Sequence, residues 1–167
     1  MKQEILNSHI LLVPAKDSDV PNMKKWEMDS IKDGYPNRTI PPEEYDRVEK
    51  FIERDAIDSV WKTRMIVYDD EIIGMLTAYQ VDDDWYIGEI YIDDRFRGHG
   101  IGTLVLKNEI CKHNRIILNV YKQNHGAIKL YKSLGFKVYE ETEEGYLMRL
   151  IKDEPIISGV AENKHKP

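Results

Sequence analysis

The chain has one cysteine, Cys111, in 167 residues, so no intrachain disulfide framework can staple it. No apolar run approaches the roughly 20 residues that cross a bilayer. The start, Met1-Lys2-Gln3-Glu4, leads into a short mixed segment and not a secretory apolar stretch. A cytoplasmic location without a membrane partner is therefore expected. Asn37-Arg38-Thr39 matches a glycosylation acceptor, which without a signal peptide is a chance match. No Cys/His spacing suggests a metal, and none is expected. Basic residues are in the minority, 24 Lys and Arg against 30 Asp and Glu, for a net charge of −6 and a pI of about 5.4. Such a surface repels phosphate backbones, so nucleic acid is not an expected partner. It attracts cationic small molecules or basic peptides. There is no internal repeat and no low-complexity tract.

What remains is an ordinary globular composition, 41% hydrophobic and 32% charged. The length suits one domain with a real core. That domain is expected over residues 1–152, with residues 153–167 as a tail. A partner subunit is one way to hold such a tail, so a homodimer is carried as an expectation.

A first strand is expected from Ile10 to Val13, stopped by Pro14. Asp17, Ser18 and Asp19 offer cap chemistry for a helix carrying Val20, Met23 and Trp26 at helical spacing. Gly34-Tyr35-Pro36-Asn37 ends it. Pro41-Pro42-Glu43-Glu44 opens a second helix, with Tyr45, Val48, Phe51 and Ile52 as its apolar positions. Strands then run over Thr63–Tyr68 and Ile72–Val81, joined at Asp69-Asp70-Glu71. After Asp82-Asp83-Asp84 a third, Trp85–Ile92, is apolar on both faces and should be central. A helix is expected from Ile101 to His113, with Ile101, Leu104, Val105 and Cys111 on one face. Cys111 reads as core packing. A strand Arg115–Tyr121, a helix Ala127–Leu134 stopped by Gly135, and strands Phe136–Glu141 and Tyr146–Ile151 complete the order. Trp26 and Trp61 read as core or pocket wall.

The segment with most chemical content is Arg97-Gly98-His99-Gly100-Ile101-Gly102. It lies between a buried strand and an amphipathic helix. A glycine-rich turn that opens a helix presents free backbone N–H groups and the positive end of the helix, a cradle for phosphate oxygens. The dinucleotide fingerprint would need glycine where Thr103 stands. The P-loop pattern fails because no Gly-Lys-Ser/Thr follows. A phosphate cradle of another kind and a plain glycine turn both remain open on this loop alone.

Ile92-Asp93-Asp94-Arg95-Phe96-Arg97-Gly98-His99-Gly100-Ile101-Gly102 resembles motif A of the GNAT superfamily of N-acetyltransferases. Downstream, Asn124-His125-Gly126-Ala127-Ile128-Lys129-Leu130-Tyr131-Lys132-Ser133-Leu134-Gly135-Phe136 is similar to the family's N-x-x-A-x-x-x-Y-x-x-x-G-F segment. The resemblance implies an α/β fold. Its single mixed, mostly antiparallel sheet would carry two splayed parallel central strands, Trp85–Ile92 and Arg115–Tyr121, flanked by helices. It implies acetyl-CoA as the acetyl donor. The donor's pantetheine arm would pair with backbone near Ile90, Tyr91 and Ile92. Its pyrophosphate would sit on the amides from Arg97 through Gly98, His99, Gly100, Ile101 and Gly102 to Thr103. Asn124 and Ala127 would touch the arm, with Asn124 also able to cap its helix. Asn119 would touch either the cofactor or the acceptor. Tyr131 would protonate the departing thiolate, and a backbone amide near Tyr91 or Ile92 would hold the oxyanion.

An amine at neutral pH must lose a proton before it attacks. Glu89, inside the central strand where several family members carry a catalytic glutamate, is the candidate base, directly or through water. Desolvation there would raise its pKa, which suits the role. Acids cluster at Asp29 and Asp33, at Glu43-Glu44, at Asp82-Asp83-Asp84 and at Glu140-Glu141-Thr142-Glu143-Glu144. The resemblance puts the first, second and last of these near the acceptor entrance, where Tyr35, Tyr45 and Tyr146 would add aromatic faces. The expected acceptor is a small cationic amine such as a polyamine or an aminoglycoside-like sugar. Two alternatives stand beside it: acetylation of a protein lysine or N-terminus, and a non-catalytic acyl-CoA sensor, which would need neither Tyr131 nor Glu89.

Overall fold

The computed structural model describes residues 2–34 and 41–152. Its strands are β1 (Glu4–Ile5), β2 (Ile10–Pro14), β3 (Thr63–Tyr68), β4 (Glu71–Val81), β5 (Asp84–Ile92), β6 (Arg115–Tyr121), β7 (Lys137–Glu141) and β8 (Gly145–Ile151). The helices are α1 (Val20–Gly34), α2 (Pro42–Ser59), α3 (Ile101–Lys112) and α4 (His125–Ser133). One eight-stranded sheet runs β1-β2-β3-β4-β5-β6-β8-β7. Only β5 and β6 are parallel. This is the expected fold class. The tail from Asp153, and Tyr35, Pro36 and Asn37, lie outside the described residues.

The hairpin turns form where acidic pairs stand between strands. Asp69 and Asp70 take φ of 44° and 67°, the geometry of a two-residue type I′ turn, and Asp82 takes 50°. Aspartate tolerates this left-handed region better than most residues.

Strand alternation sends successive side chains to opposite faces. Met65, Met75 and Tyr91 pack with Met23 and Trp26 of α1 and Ala56 of α2. Ile66, Leu76 and Leu118 pack on the other face with Ile101, Val105 and Leu106 of α3 and Tyr131 of α4. α3 turns Glu109 inward in place of Cys111, which is exposed. Cys111 therefore does not share the core face expected for it. Buried Glu109 accepts from Arg64 Nη2 at 2.7 Å and from Trp85 Nε1 at 2.9 Å. Glu4 joins the same group through Arg64, Asn108 and Lys112. That anchor holds β1, a strand too short to show periodicity.

Two large side chains depart from their expected burial. Phe51 is 59% exposed and Trp61 69%, while Trp26 is buried as expected. Ile52 and Ala56 supply the inner stripe of α2 instead.

Two features of β5 shape the site. The parallel ladder with β6 runs only from Trp85–Ile116 to Ile87–Leu118, so the strands separate beyond that point. At the same place β5 carries a bulge. Thr77 faces Glu89 while Ala78 faces Ile87, which leaves Gly88 without a partner on β4. Simple alternation would put Glu89 on the α3 face with Ile87. The extra residue reverses the parity: Glu89 and Tyr91 turn to α1, and Ile90 and Ile92 to the α3 side.

Gly74 on β4 backs this region. A Cβ there would lie 2.1 Å from the Tyr91 carbonyl oxygen. Because the obstacle is backbone, no rotamer change relieves it. Gly74→Ala is expected to destabilise the fold by roughly 2 kcal/mol or more, read as a lower urea midpoint with unchanged slope.

Candidate functional site

The opening between β5 and β6 leads into a cleft of about 840 Å³. Ile90, Tyr91 and Ile92 of β5 line it, with Arg97, Gly98, Gly100, Ile101, Gly102 and Thr103 of the following loop and helix. Asn124, which precedes α4, and Ala127 and Tyr131 of α4 also line it. Of the residues expected around the donor, His99 and Asn119 stand apart from this lining. His99 is exposed, with Nδ1 3.2 Å from the Phe96 carbonyl. Asn119 is exposed on β6, beyond the end of the parallel ladder.

The loop has the backbone geometry of an anion cradle. Gly98 and Gly100 both take φ of +78°, in the left-handed region. Added Cβ atoms there would meet nothing within 4 Å, so conformation and not space asks for glycine. Gly100 caps α3 without a side-chain hydrogen bond, so the first-turn amides keep their donors for another acceptor. These residues fit a diphosphate group. Arg97 closes one side: its Nε donates to the Ile92 carbonyl at 2.8 Å, and Nη1 pairs with Asp33 and Asp94, each at 2.8 Å. Its guanidinium lies 4.9 Å from the Tyr91 ring centroid. Asn124 caps α4 by accepting from the Ala127 amide at 3.1 Å.

Tyr131 is buried at the base of the cleft, 5.9 Å from the Phe136 ring. Burial, and then the charge of nearby Glu89, push its phenol well above the usual range, so it stays protonated. No hydrogen-bond partner holds its hydroxyl among the described residues.

Glu89 is partly buried on the other side of β5. Ser30 Oγ of α1 donates to its Oε1 at 3.0 Å. Burial raises its pKa to about 7, offset in part by the Ser30 hydroxyl and the Ile90 amide. It lines a second cavity, of about 280 Å³, walled by α1, α2, β4 and β5. Glu27, Asp55 and Glu89 put three carboxyl groups on that wall, with Lys62 as its cation. Burial pushes Glu27 up to about 8, helped by the charges of Asp55 and Glu89. Tyr79 and Tyr86 meet edge to face at 5.4 Å, and Lys62 Nζ sits 4.4 Å from the Tyr79 centroid.

Glu27, Ser30, Asp55, Tyr79 and Tyr86 were not among the expected site residues. A signal existed for two of them. Glu27 follows Met23 by one helical turn, on the inner face of α1, and Asp55 borders the buried stripe of Ile52, Ala56 and Ser59 at an exposed position of α2.

None of the described members of the acid clusters expected at the acceptor entrance lines the cavity beside Glu89. Asp33 lines the larger cleft and pairs with Arg97. The Glu140–Glu144 segment is exposed at the β7–β8 hairpin. Tyr146 packs on the α3 and α4 side of the sheet, away from Glu89, because it shares its strand face with buried Met148 and Leu150. The side chains of Glu43, Glu44 and Tyr45 lie outside the described residues, as does Tyr35. Among the described residues no helix is long and apolar enough to cross a membrane, and no group of His, Cys, Asp or Glu is placed to hold a metal.

Known proteins resemble this chain in sequence and in fold. A segment of 79 residues is 33% identical to the spermine/spermidine N(1)-acetyltransferase of Bacillus subtilis, covering 42% of this chain and 52% of that protein. Over 76 residues it is 33% identical to the peptidyl-lysine N-acetyltransferase YjaB of Salmonella typhimurium, covering 44% and 48%. The chain thus spans about half the length of these curated relatives. Among solved structures, the PaiA N-acetyltransferase of Thermoplasma acidophilum in complex with coenzyme A superimposes with a TM-score of 0.71 at 16% identity, over 90% of this chain and 99% of that one. At that identity the likeness speaks for the fold. The sequence profile of one family matches residues 23–136, from α1 through both cavities to the end of the Asn124–Phe136 segment, and by that match the chain belongs to the acetyltransferase (GNAT) family.

Proposed function

We propose that this protein is an acetyl-CoA-dependent N-acetyltransferase whose acceptor is a small cationic amine. The observation that carries the acceptor class is the cavity beside Glu89, with Glu27 and Asp55 on its wall and the Tyr79 and Tyr86 rings beside them. Carboxylates draw an ammonium group in, and ring faces complement its charge.

The loop amides from Arg97 to Thr103 hold the donor's diphosphate, and the edge of β5 at Ile90–Ile92 holds its arm. When bound, acetyl-CoA supplies a thioester carbonyl open to attack. Glu89, poised near neutrality, takes the proton that the ammonium must lose, directly or through water. A backbone amide of Tyr91 or Ile92 donates to the oxygen that gains charge. Tyr131, kept neutral by burial, gives the departing sulfur its proton.

A protein lysine is a second reading, supported by the peptidyl-lysine relative. Its side chain is also an ammonium on an aliphatic stem. The small volume, about 280 Å³, favours the free amine.

The test is thiol release from acetyl-CoA across mono-, di- and polyamines and lysine peptides. Release only with peptides, or with none of them, overturns the acceptor class. Glu27→Gln is expected to raise KM for diamines about tenfold with kcat within about twofold, an effect that shrinks as salt rises. The pH dependence has a definite sign. With its pKa at about 8, Glu27 is mostly protonated at pH 7 in the free enzyme. An arriving ammonium favours the ionised form, so acceptor affinity increases from pH 7 to 8.5. Glu27→Gln reduces that increase to the part due to Glu89, which titrates near 7 in the same cavity.

A further inference from the structure

The last turn of α1 forms the partition between the two cavities. Ser30 lines the donor cleft, Glu89 lines the acceptor cavity, and the 3.0 Å bond from Ser30 Oγ to Glu89 Oε1 crosses between them. No other side chain among the described residues bonds that carboxylate. We propose that Ser30 is a positioning residue: its hydroxyl fixes Oε1 of Glu89 and so leaves Oε2 to face the acceptor nitrogen. The inference rests on reading Glu89 as the base.

The surroundings make Ser30 a fixed anchor. One turn before it, Trp26 is buried and stacks on Tyr91 of β5 at 5.9 Å. Three residues after it, Asp33 pairs with Arg97 at 2.8 Å. α1 is therefore held to β5 and its loop on both sides of Ser30. A glutamate side chain has three rotatable bonds, so an unanchored carboxylate samples several directions. A donor placed by a clamped helix selects one of them.

The hydroxyl also sets the charge state. Glu27 from α1 and Asp55 from α2 approach Glu89 as acids, and Lys62 after α2 as a cation. Tyr79 of β4, Tyr86 of β5 and Tyr131 of α4 approach with their phenol side chains. Burial favours the protonated carboxyl. Ser30 favours the ionised form without adding charge that would repel an ammonium.

The experiment is the pH dependence of kcat/KM for Ser30→Ala, Ser30→Thr, Ser30→Cys and Glu89→Gln, with KM for acetyl-CoA measured alongside. Ser30→Ala is expected to move the ascending limb upward by about one pH unit. At the plateau it should lower kcat about three- to tenfold, through lost orientation. Ser30→Thr, which keeps the hydroxyl, restores the limb, and Ser30→Cys, a weak donor, falls between. Because Ser30 also lines the donor cleft, a merely space-filling role would raise KM for acetyl-CoA and leave the limb in place, and that result overturns the proposal. If Glu89→Gln removes the limb while Ser30→Ala leaves it unmoved, the Ser30 role alone fails. If Glu89→Gln keeps the wild-type limb, the base assignment fails and the Ser30 role falls with it.

Discussion

Replacing Tyr131 with phenylalanine is expected to lower kcat by about 10²–10³-fold, the usual size of a lost general acid. The structure isolates the hydroxyl as the variable. The Tyr131 ring is buried in the larger core beside Phe136, and phenylalanine keeps those contacts. Stability should therefore change by less than about 1 kcal/mol. The hydroxyl lies at the base of the donor cleft with no protein partner among the described residues, so its removal leaves no buried group orphaned. KM for acetyl-CoA should stay within about threefold, because the loop amides and β5 edge bear the binding. The loss then falls on the step in which sulfur departs. Stopped-flow measurement of thiol release separates this from product dissociation. A Tyr131→Phe enzyme with kcat within threefold of wild type would remove Tyr131 from the proton path.

The half of the site proposed for the donor was legible because its chemistry is local. A glycine loop, a helix start and the Asn124–Phe136 segment each occupy a few consecutive residues, and backbone donors need only φ and ψ. The acceptor half was not, because it is assembled from α1, α2, β4 and β5. Glu27 is an acid on a helix face that the apolar pattern marks as inward, Asp55 borders another, and only packing brings them to Glu89. The Gly88 bulge is a further case. Trp85–Ile92 reads as apolar on both faces, so alternation could not say which way Glu89 turns. Glycine inside a strand is a known mark of a bulge, but the partner register decides it. Cys111 illustrates the opposite error. It was grouped with Ile101 and Val105 by hydrophobicity, whereas the buried position one turn on from Val105 belongs to Glu109, paired with Arg64 from a distant strand. Exposed Phe51 and Trp61 show the same limit, since side-chain type alone does not fix burial.

Glu89→Gln carries the other large expectation, in two observables of opposite direction. As the base, Glu89 is half ionised near pH 7, so wild-type kcat/KM should climb through that pH. The glutamine variant should lose about 10²–10³-fold at the plateau and show no ascending limb near 7. Stability should move the other way. The folded-state pKa of about 7 stands above the ordinary value of 4.5, so between these pH values the folded protein binds more protons than the unfolded chain. The contribution of Glu89 to wild-type stability must then fall as pH rises from 4.5 to 7 and level off above. Glutamine has no charge to desolvate and can still accept from Ser30. The variant should be more stable than wild type above pH 7, by about 1–3 kcal/mol, and equal to it below pH 4.5. Urea unfolding at pH 4.5 and 8 measures both ends. An inactive variant with no gain at pH 8 would mean that Glu89 is not desolvated in the folded protein, and its tuning as a base would need another origin. Both changes together would identify Glu89 as a residue at which stability is given up for proton transfer.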